Sequence, residues 1–255
     1  MSPVVEVLAW GVAGSVVDVG RPGRAALGAS RGGAVDADAL ALANRVVGNP
    51  PDAHAVESAG GLRVRTTAPC TVAIAGAVVQ VTVTGGPPVG WGSAVHLPAG
   101  AELRLGRLVD GARAYLAVRG GVDGAAEPLS PPLTHPLLRP ERPTTAKVWP
   151  GPRLDWCASD TWELLITSPF TVTSTSRVGV RLSGPRLVHA RFEQLPSEGM
   201  VEGAVQVPPD GNPVVMLADH PATGGYPVVA VVDPADIAVL AQAPLGSGLR
   251  FTAAR

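Results

Sequence analysis

Thr71–Val83, TVAIAGAVVQVTV, is the apolar heart of an uncharged window that runs from Thr66 to Ala101. It can be read as a membrane helix or as a strand. A helix needs about 20 apolar residues to cross roughly 30 Å of hydrocarbon. This run is shorter, and Pro69, Pro87, Pro88 and Pro98 break the window around it. Val72 and Ile74, then Val79, Val81 and Val83, recur at every second position, which suits a pleated strand. The stretch is predicted as a strand, and no membrane span is expected.

The same pattern holds outward in both directions. The chain carries 31 Gly and 26 Pro among 255 residues, yet 46% of it is hydrophobic. Disorder requires a poverty of apolar residues and is excluded. Short apolar runs punctuated by Gly and Pro, such as AELRLG, RAYLAV, PVVMLA and YPVVAVV, indicate strands of a barrel or sandwich. Two segments read as helices. Asp36 caps the first, Leu40, Ala43 and Val47 repeat at helical spacing, and Gly48 closes it. Asp233 caps the second, Pro234 takes its first position, Ile237, Leu240 and Ala241 form the inner face, and Pro244 ends it. The expected fold is all-β with a few short helices.

LPAGAELRLG (Leu97–Gly106) and APLGSGLRF (Ala243–Phe251) echo one another, as do VAIAGAVV and VRLSGPRL. The echo suggests two related halves, 1–125 and 148–255, joined by a Pro-rich connector over 126–147.

A net charge of −1 and a pI near 6.5 give no electrostatic reason to expect nucleic acid or an anionic membrane as partner. The N-terminus has no basic residue before its apolar run and Glu6 interrupts it, unlike a secretory signal. Cys70 and Cys157 stand far apart without ligand spacing, so reduced thiols and a cytoplasmic location are expected.

Most short motifs reduce to structure. GASRG (Gly28–Gly32) has the Gly-x-Ser-x-Gly pattern of a nucleophile elbow, but Ser30 has neither a strand directly before it nor a helix directly after it. Asp36 and Asp38 suit a helix start better than a metal, and the five His never pair at ligand spacing, so no metal site is expected. There is no conventional phosphate loop, so any ATP requires an unconventional loop or a partner. Lys147 is the only lysine and lies in no biotin-acceptor motif; biotin would come from another polypeptide. Gly20–Asp36 is dense in Gly and carries Arg21, Arg24 and Arg31, which suits ligand or subunit contact but equally a plain loop across a barrel mouth. In Ser197–Val232, Glu198, Gln206, Asp219, Thr223 and Tyr226 lie among apolar strands. Thr223-Gly224-Gly225-Tyr226 is a competent turn, and its polar neighbours also suit a small polar substrate.

Several long blocks, in order, resemble one family. DVGRPG, GGAVD, ALALANRVVGNP and AVESAGG open the match, and PGPRLDW, SRVGVRLSGP and the SEG…GAVQVPPDGNPVV…TGGYP blocks complete it nearly end to end. The chain resembles the allophanate-hydrolase-subunit-2 family, which includes the C subunit of 5-oxoprolinase, a Kip-type regulator and the carboxyltransferase part of urea carboxylase. The resemblance implies two tandem cyclophilin-like β-barrel subdomains and a partner, the B subunit, joined by the A subunit in the 5-oxoprolinase members. There, ATP activates the lactam of 5-oxoproline on the way to glutamate. The urea relatives move a carboxyl group from biotin to a urea nitrogen.

Resemblance and chemistry together mark Asp219, Thr223, Tyr226 and Glu198 as catalytic candidates. They mark Arg21, Asp36, Asn44, Gln206, Gly224 and Gly225 for ligand or subunit contact. The chain departs from the family pattern after Asp123, at Ala222 where a hydroxyl is usual, and at Val178 and Val180 within the usual Arg-Met-Gly-Tyr. These losses leave a regulatory, non-catalytic role as an alternative to the 5-oxoprolinase and urea-type readings.

Overall fold

The computed structural model describes residues 4–138, 141–191 and 193–254. The chain divides into two compact units, Met1–Val19 with Asp36–Glu141, and Gly20–Val35 with Arg142–Arg255. The Gly-rich segment Gly20–Val35 therefore packs with the C-terminal unit, although its place in the chain suggested the N-terminal half. The Pro-rich segment is not a free connector either. Leu129 and Ser130 donate to Gly48 O, Leu133 donates to Val46 O and Leu137 to Gly92 O, holding it along the first unit.

The first unit contains β1 (Val5–Ala9), β2 (Ser15–Val17), α1 (Ala37–Val47), β3 (Ala55–Ser58), β4 (Arg63–Thr66), β5 (Cys70–Thr84), β6 (Val95–Leu97) and β7 (Glu102–Val118). The opening stretch is indeed a strand, longer than its apolar heart. AELRLG and RAYLAV, expected as separate strands, are the two ends of β7. The sheet runs β1-β4-β7-β3-β2, with β5 paired to β6 and β7, and it curls as half a barrel. Strands this long must bend, and the β5–β7 register shifts just after Gly76, whose φ is +80°. Ile74, Leu97, Leu103, Leu105 and Leu116 fill the concave side.

α1 follows its sequence signals closely. Asp36 accepts from Ala39 N at 2.9 Å, and Gly48 ends the helix in the left-handed region at φ +79°. A Cβ on Gly48 would lie 2.1 Å from Ser130 O and 2.7 Å from an Arg119 nitrogen. Gly48→Ala is expected to destabilise the protein by about 3 kcal/mol, read from a chemical denaturation midpoint, because strain and backbone overlap add.

The second unit holds β8 (Thr145–Pro150), α2 (Thr161–Thr167), β9 (Pro169–Thr175), β10 (Gly179–Ser183), β11 (Glu198–Gly199), β12 (Ala204–Gln206), β13 (Val214–Met216), β14 (Thr223–Gly224), β15 (Val228–Val232), α3 (Ile237–Ala241) and β16 (Gly248–Ala253). Seven of these strands close a barrel in the order β10-β13-β12-β15-β8-β16-β9, and β11 and β14 form a separate ribbon. Phe170 and Phe251 meet inside the barrel at 5.9 Å with Leu165, Leu182, Val205 and Val229 around them. Asp233 caps the second expected helix by accepting from Ala235 N. α2 had no legible start: Asp160 makes no side-chain cap. The turn of helix forms because Leu165 is buried in the barrel core, with Leu164 and Ile166 packed against it.

Among the described residues no helix is long and apolar enough to cross a membrane. Cys70 and Cys157 are both buried, and burial pushes each thiol up to about 11. At pH 8 the native protein is expected to resist an aromatic disulfide reagent, with two thiols reacting only after unfolding.

Candidate functional site at one end of the second barrel

The antiparallel pairings of β10 with β13 and of β13 with β12 bring the start of β10, the end of β13 and the start of β12 to one end of the barrel. Arg177 immediately precedes that end on β10, Asp219 follows it on β13, and Glu202 precedes it on β12. Arg177 forms a two-point fork with Asp219, Nε to Oδ2 at 2.7 Å and Nη2 to Oδ1 at 3.1 Å. Its Nη2 also donates to Gly33 O at 2.7 Å.

Gly33 belongs to the Gly20–Val35 strap, which lies across this barrel end. Gly32 N donates to Ala218 O at 3.0 Å, and Val35 is buried in the barrel core. Beside it, Arg31 Nη1 reaches both carboxylate oxygens of Glu202, at 2.9 and 3.2 Å. Burial raises the Glu202 pKa, and the nearby charges of Arg31 and His220 only partly offset it. His220 is buried, with Nδ1 placed to donate to Pro221 O at 2.8 Å. Two guanidinium–carboxylate pairs, a histidine and glycine backbone thus converge where the strap crosses the barrel.

The expected residues do not all meet there. Asp219 does. Glu198 and Thr223 lie on the β11–β14 ribbon, where Glu198 pairs with Gly224 and Gly199 with Thr223. The ribbon runs towards the opposite barrel end, since Gln206 and Val228 are partners there and Gln206 Nε2 donates to Tyr226 O at 3.0 Å. Arg153 Nε grips both Glu198 oxygens at 2.9 Å, and Nη2 bonds Oε1 as well. This guanidinium holds the Glu198 carboxyl below its ordinary range. Gln206 is buried and braces the ribbon. A Cβ on Gly224 would come within 2.6 Å of its Nε2, so any larger residue there would displace the Gln206 side chain. Gly225, Thr223 and Tyr226 are exposed along the ribbon.

The N-terminal candidates divide likewise. Arg21 is exposed, and its backbone N donates to Arg31 O at 2.7 Å, closing the strap's loop. The strap arginine that reaches the barrel is Arg31. Asp36 and Asn44 belong to the first unit and are structural. Asp36 caps α1, while Asn44 is fully buried, donating to Ala53 O at 2.7 Å and accepting from Asn49. Val180, where the family pattern has an aromatic, is a core residue of the barrel. Sequence reasoning did not single out Glu202, His220, Arg153 or Arg177. The only local signal was the arginine content of the strap and of the SRVGVRLSGP block.

Helix α1, the one helix preceded by the Gly-rich strap, does not suit a nucleotide's phosphates. Asp36 occupies the first-turn amide with its own carboxylate and Asp38 adds a second acid, where phosphate needs donors.

A half-barrel sheet and a closed barrel, the latter crossed by an ion-paired glycine strap, define a two-subdomain β-barrel protein with a polar site at one barrel end. A family model described as carboxyltransferase domain, subdomain A and B, matches residues 27–130 and 124–253, and the chain belongs to that family. It is 32% identical over 282 residues to the C subunit of 5-oxoprolinase from Escherichia coli (strain K12), covering 97% of this chain and 90% of that one. The crystal structure of TTHA0988 superposes with a TM-score of 0.84 at 32% identity over 98% of this chain, which spans 56% of that longer chain. The urea carboxylase of Kluyveromyces lactis superposes at 0.82 with 25% identity, again over 98% of this chain but 27% of that one.

Proposed function

We propose that the chain is the C subunit of an ATP-dependent 5-oxoprolinase, acting in the cytoplasm with the A and B subunits to convert 5-oxoproline to glutamate. The observation that carries this reading is the Asp219 carboxylate, fixed by the Arg177 fork at the strapped barrel end, in a chain 32% identical to the C subunit of a 5-oxoprolinase. A small lactam offers one N–H donor and one carbonyl acceptor. Asp219, one-third exposed, accepts from the N–H, and the Arg177 fork keeps its oxygens directed. Polarising the amide in this way prepares it for activation. ATP supplies the phosphoryl group for that activation. The acidic first turn of α1 disfavours its phosphates, and its site is assigned to the interface with the B subunit. Thr223 and Tyr226 present hydroxyls along the ribbon that leads away from Asp219 and complete the surface over which substrate passes.

The test is 5-oxoproline-dependent ATP hydrolysis by co-purified B and C subunits with the A subunit added. Stimulation by urea or allophanate with a biotin-bearing partner would instead assign the carboxyltransferase reading, which the K. lactis likeness favours. A tight complex without turnover would assign a regulatory role, which Ala222 in place of a hydroxyl favours.

A further inference from the structure

We propose that the outer face of α1, in the first unit, carries a second small-molecule site for a short ω-amino carboxylate, a zwitterion with its ammonium and carboxylate at opposite ends of an aliphatic chain. The inference is independent of the lactam reading and uses none of the residues that reading rests on.

Asp38, Ala41, Leu42 and Arg45 follow one another at i, i+3, i+4 and i+7, so they stand in one row along the helix. The face that α1 turns to the core is a different one, made by Leu40, Ala43, Val46 and Val47. The outer row forms one wall of a cavity of about 540 Å³, closed by Asn49, Leu129 and Ser130. That second wall is fixed before any ligand arrives. Leu129 N and Ser130 N donate to Gly48 O at 2.8 and 3.2 Å, and Arg119 Nη1 ties Val47 O to Ser130 O at 2.7 Å each. Asn49 Nδ2 donates to Val118 O and to Asn44 Oδ1, and its Oδ1 accepts from Gly120 N. A preformed frame with few polar groups aimed into it is what small-molecule sites share.

The frame is committed, but the two charges that line the cavity are not. No side-chain hydrogen bond or ion pair joins Asp38 or Arg45 to any other described residue. They do not pair with each other, so their charged ends stand more than about 4 Å apart. They stand closer than the ~10.5 Å that seven residues of helix rise, because a helical arginine leans back towards the N-terminus. Arg45 offers its fork to a carboxylate, and Asp38 accepts from an ammonium. Between them Ala41 and Leu42 offer nothing to bond, which suits methylenes. From the second wall Leu129, 72% exposed, loses apolar surface to water when such a chain covers it. An α-amino acid carries both charges on one carbon and cannot reach both ends. A dicarboxylate or a diamine meets its own sign at one end. A chain of about three to five methylenes spans the interval.

The experiment is calorimetric titration of the intact protein with 5-aminopentanoate, and with pentanoate, pentylamine and glycine as probes that lack one charge or the spacing. Wild type is expected to bind 5-aminopentanoate on the order of tenfold more tightly than any of the other three. Arg45→Gln is expected to bring that affinity down to the level of pentylamine, and Asp38→Asn to the level of pentanoate, each a loss of about tenfold. Both side chains are exposed and unpaired, so the thermal midpoint of either variant should change little. No preference for 5-aminopentanoate in wild type overturns the proposal, and so does a preference that survives in both variants, which places the ligand elsewhere on the protein. Neither result bears on the lactam reading, whose test is turnover.

Discussion

Asp219→Asn is expected to lower 5-oxoproline-dependent ATP hydrolysis of the assembled complex by about a hundredfold or more. The substitution preserves shape but places an amide nitrogen where a carboxylate oxygen accepts from Arg177, at 2.7 or 3.1 Å depending on which oxygen is replaced. Two donors then face one another, the fork opens, and the acceptor for the lactam N–H is lost. The fold should survive. The pair is partly exposed, at 18% and 34% of the side chains, and a pair of that kind contributes up to about 1 kcal/mol. Arg177 retains its bond to Gly33 O, and Asp219 N still donates to Arg177 O at 3.0 Å. The checks are the turnover rate and the thermal midpoint, measured on one preparation. Full turnover in this variant would remove Asp219 from the site, and a collapsed midpoint would make it a structural residue.

The second large effect lies in the first unit and is one of stability. Glu57 is fully buried on β3, and Arg113 and Tyr115 reach it from β7, with Arg113 Nη1 at 3.4 Å and the Tyr115 hydroxyl donating at 2.8 Å. The same hydroxyl accepts from Asp36 N at 2.8 Å, so the network also fixes the start of α1. Burial first, and then the Glu57 and Asp36 charges, raise the Tyr115 hydroxyl well above its ordinary pKa, keeping it a donor at all working pH. Arg113→Met removes the cation and leaves a buried carboxylate, at a cost of about 3–5 kcal/mol. Replacing Glu57 with Gln in the same chain should recover much of that loss, since the uncompensated charge disappears. Denaturant titration of the two single variants and the double variant measures both effects. Equal stability of Arg113→Met and wild type would show that the ion pair adds nothing to the fold.

Local grammar was legible wherever a residue acts on its chain neighbours. Asp36 and Gly48 bound α1 because capping is a matter of three or four residues, and Asp233 with Pro234 begins the last helix for the same reason. The alternating valines of Thr71–Val83 declared a strand because one face of the sheet is buried. α2 lacked a cap and was missed, because only packing against the barrel core makes it helical.

The site was legible only in part. Asp219 stood out as a candidate because it lies in a run of family-like residues, but its partner Arg177 is 42 positions away, and Glu202 finds Arg31 across 171. Nothing in local spacing relates such residues. They meet because antiparallel pairing brings alternate strand ends to one barrel end and because the strap crosses to the second unit.

By itself the sequence determined the strand-rich class, the two capped helices and the family, since each rests on patterning or on contacts within a few residues. Tertiary structure alone decided which arginines face which carboxylates, that Asn44 and Gln206 are braces, and that Glu198 stands towards the other end of the barrel from Asp219. Charge pairing depends on distance in space, and closing a barrel sets distances that no reading along the chain contains.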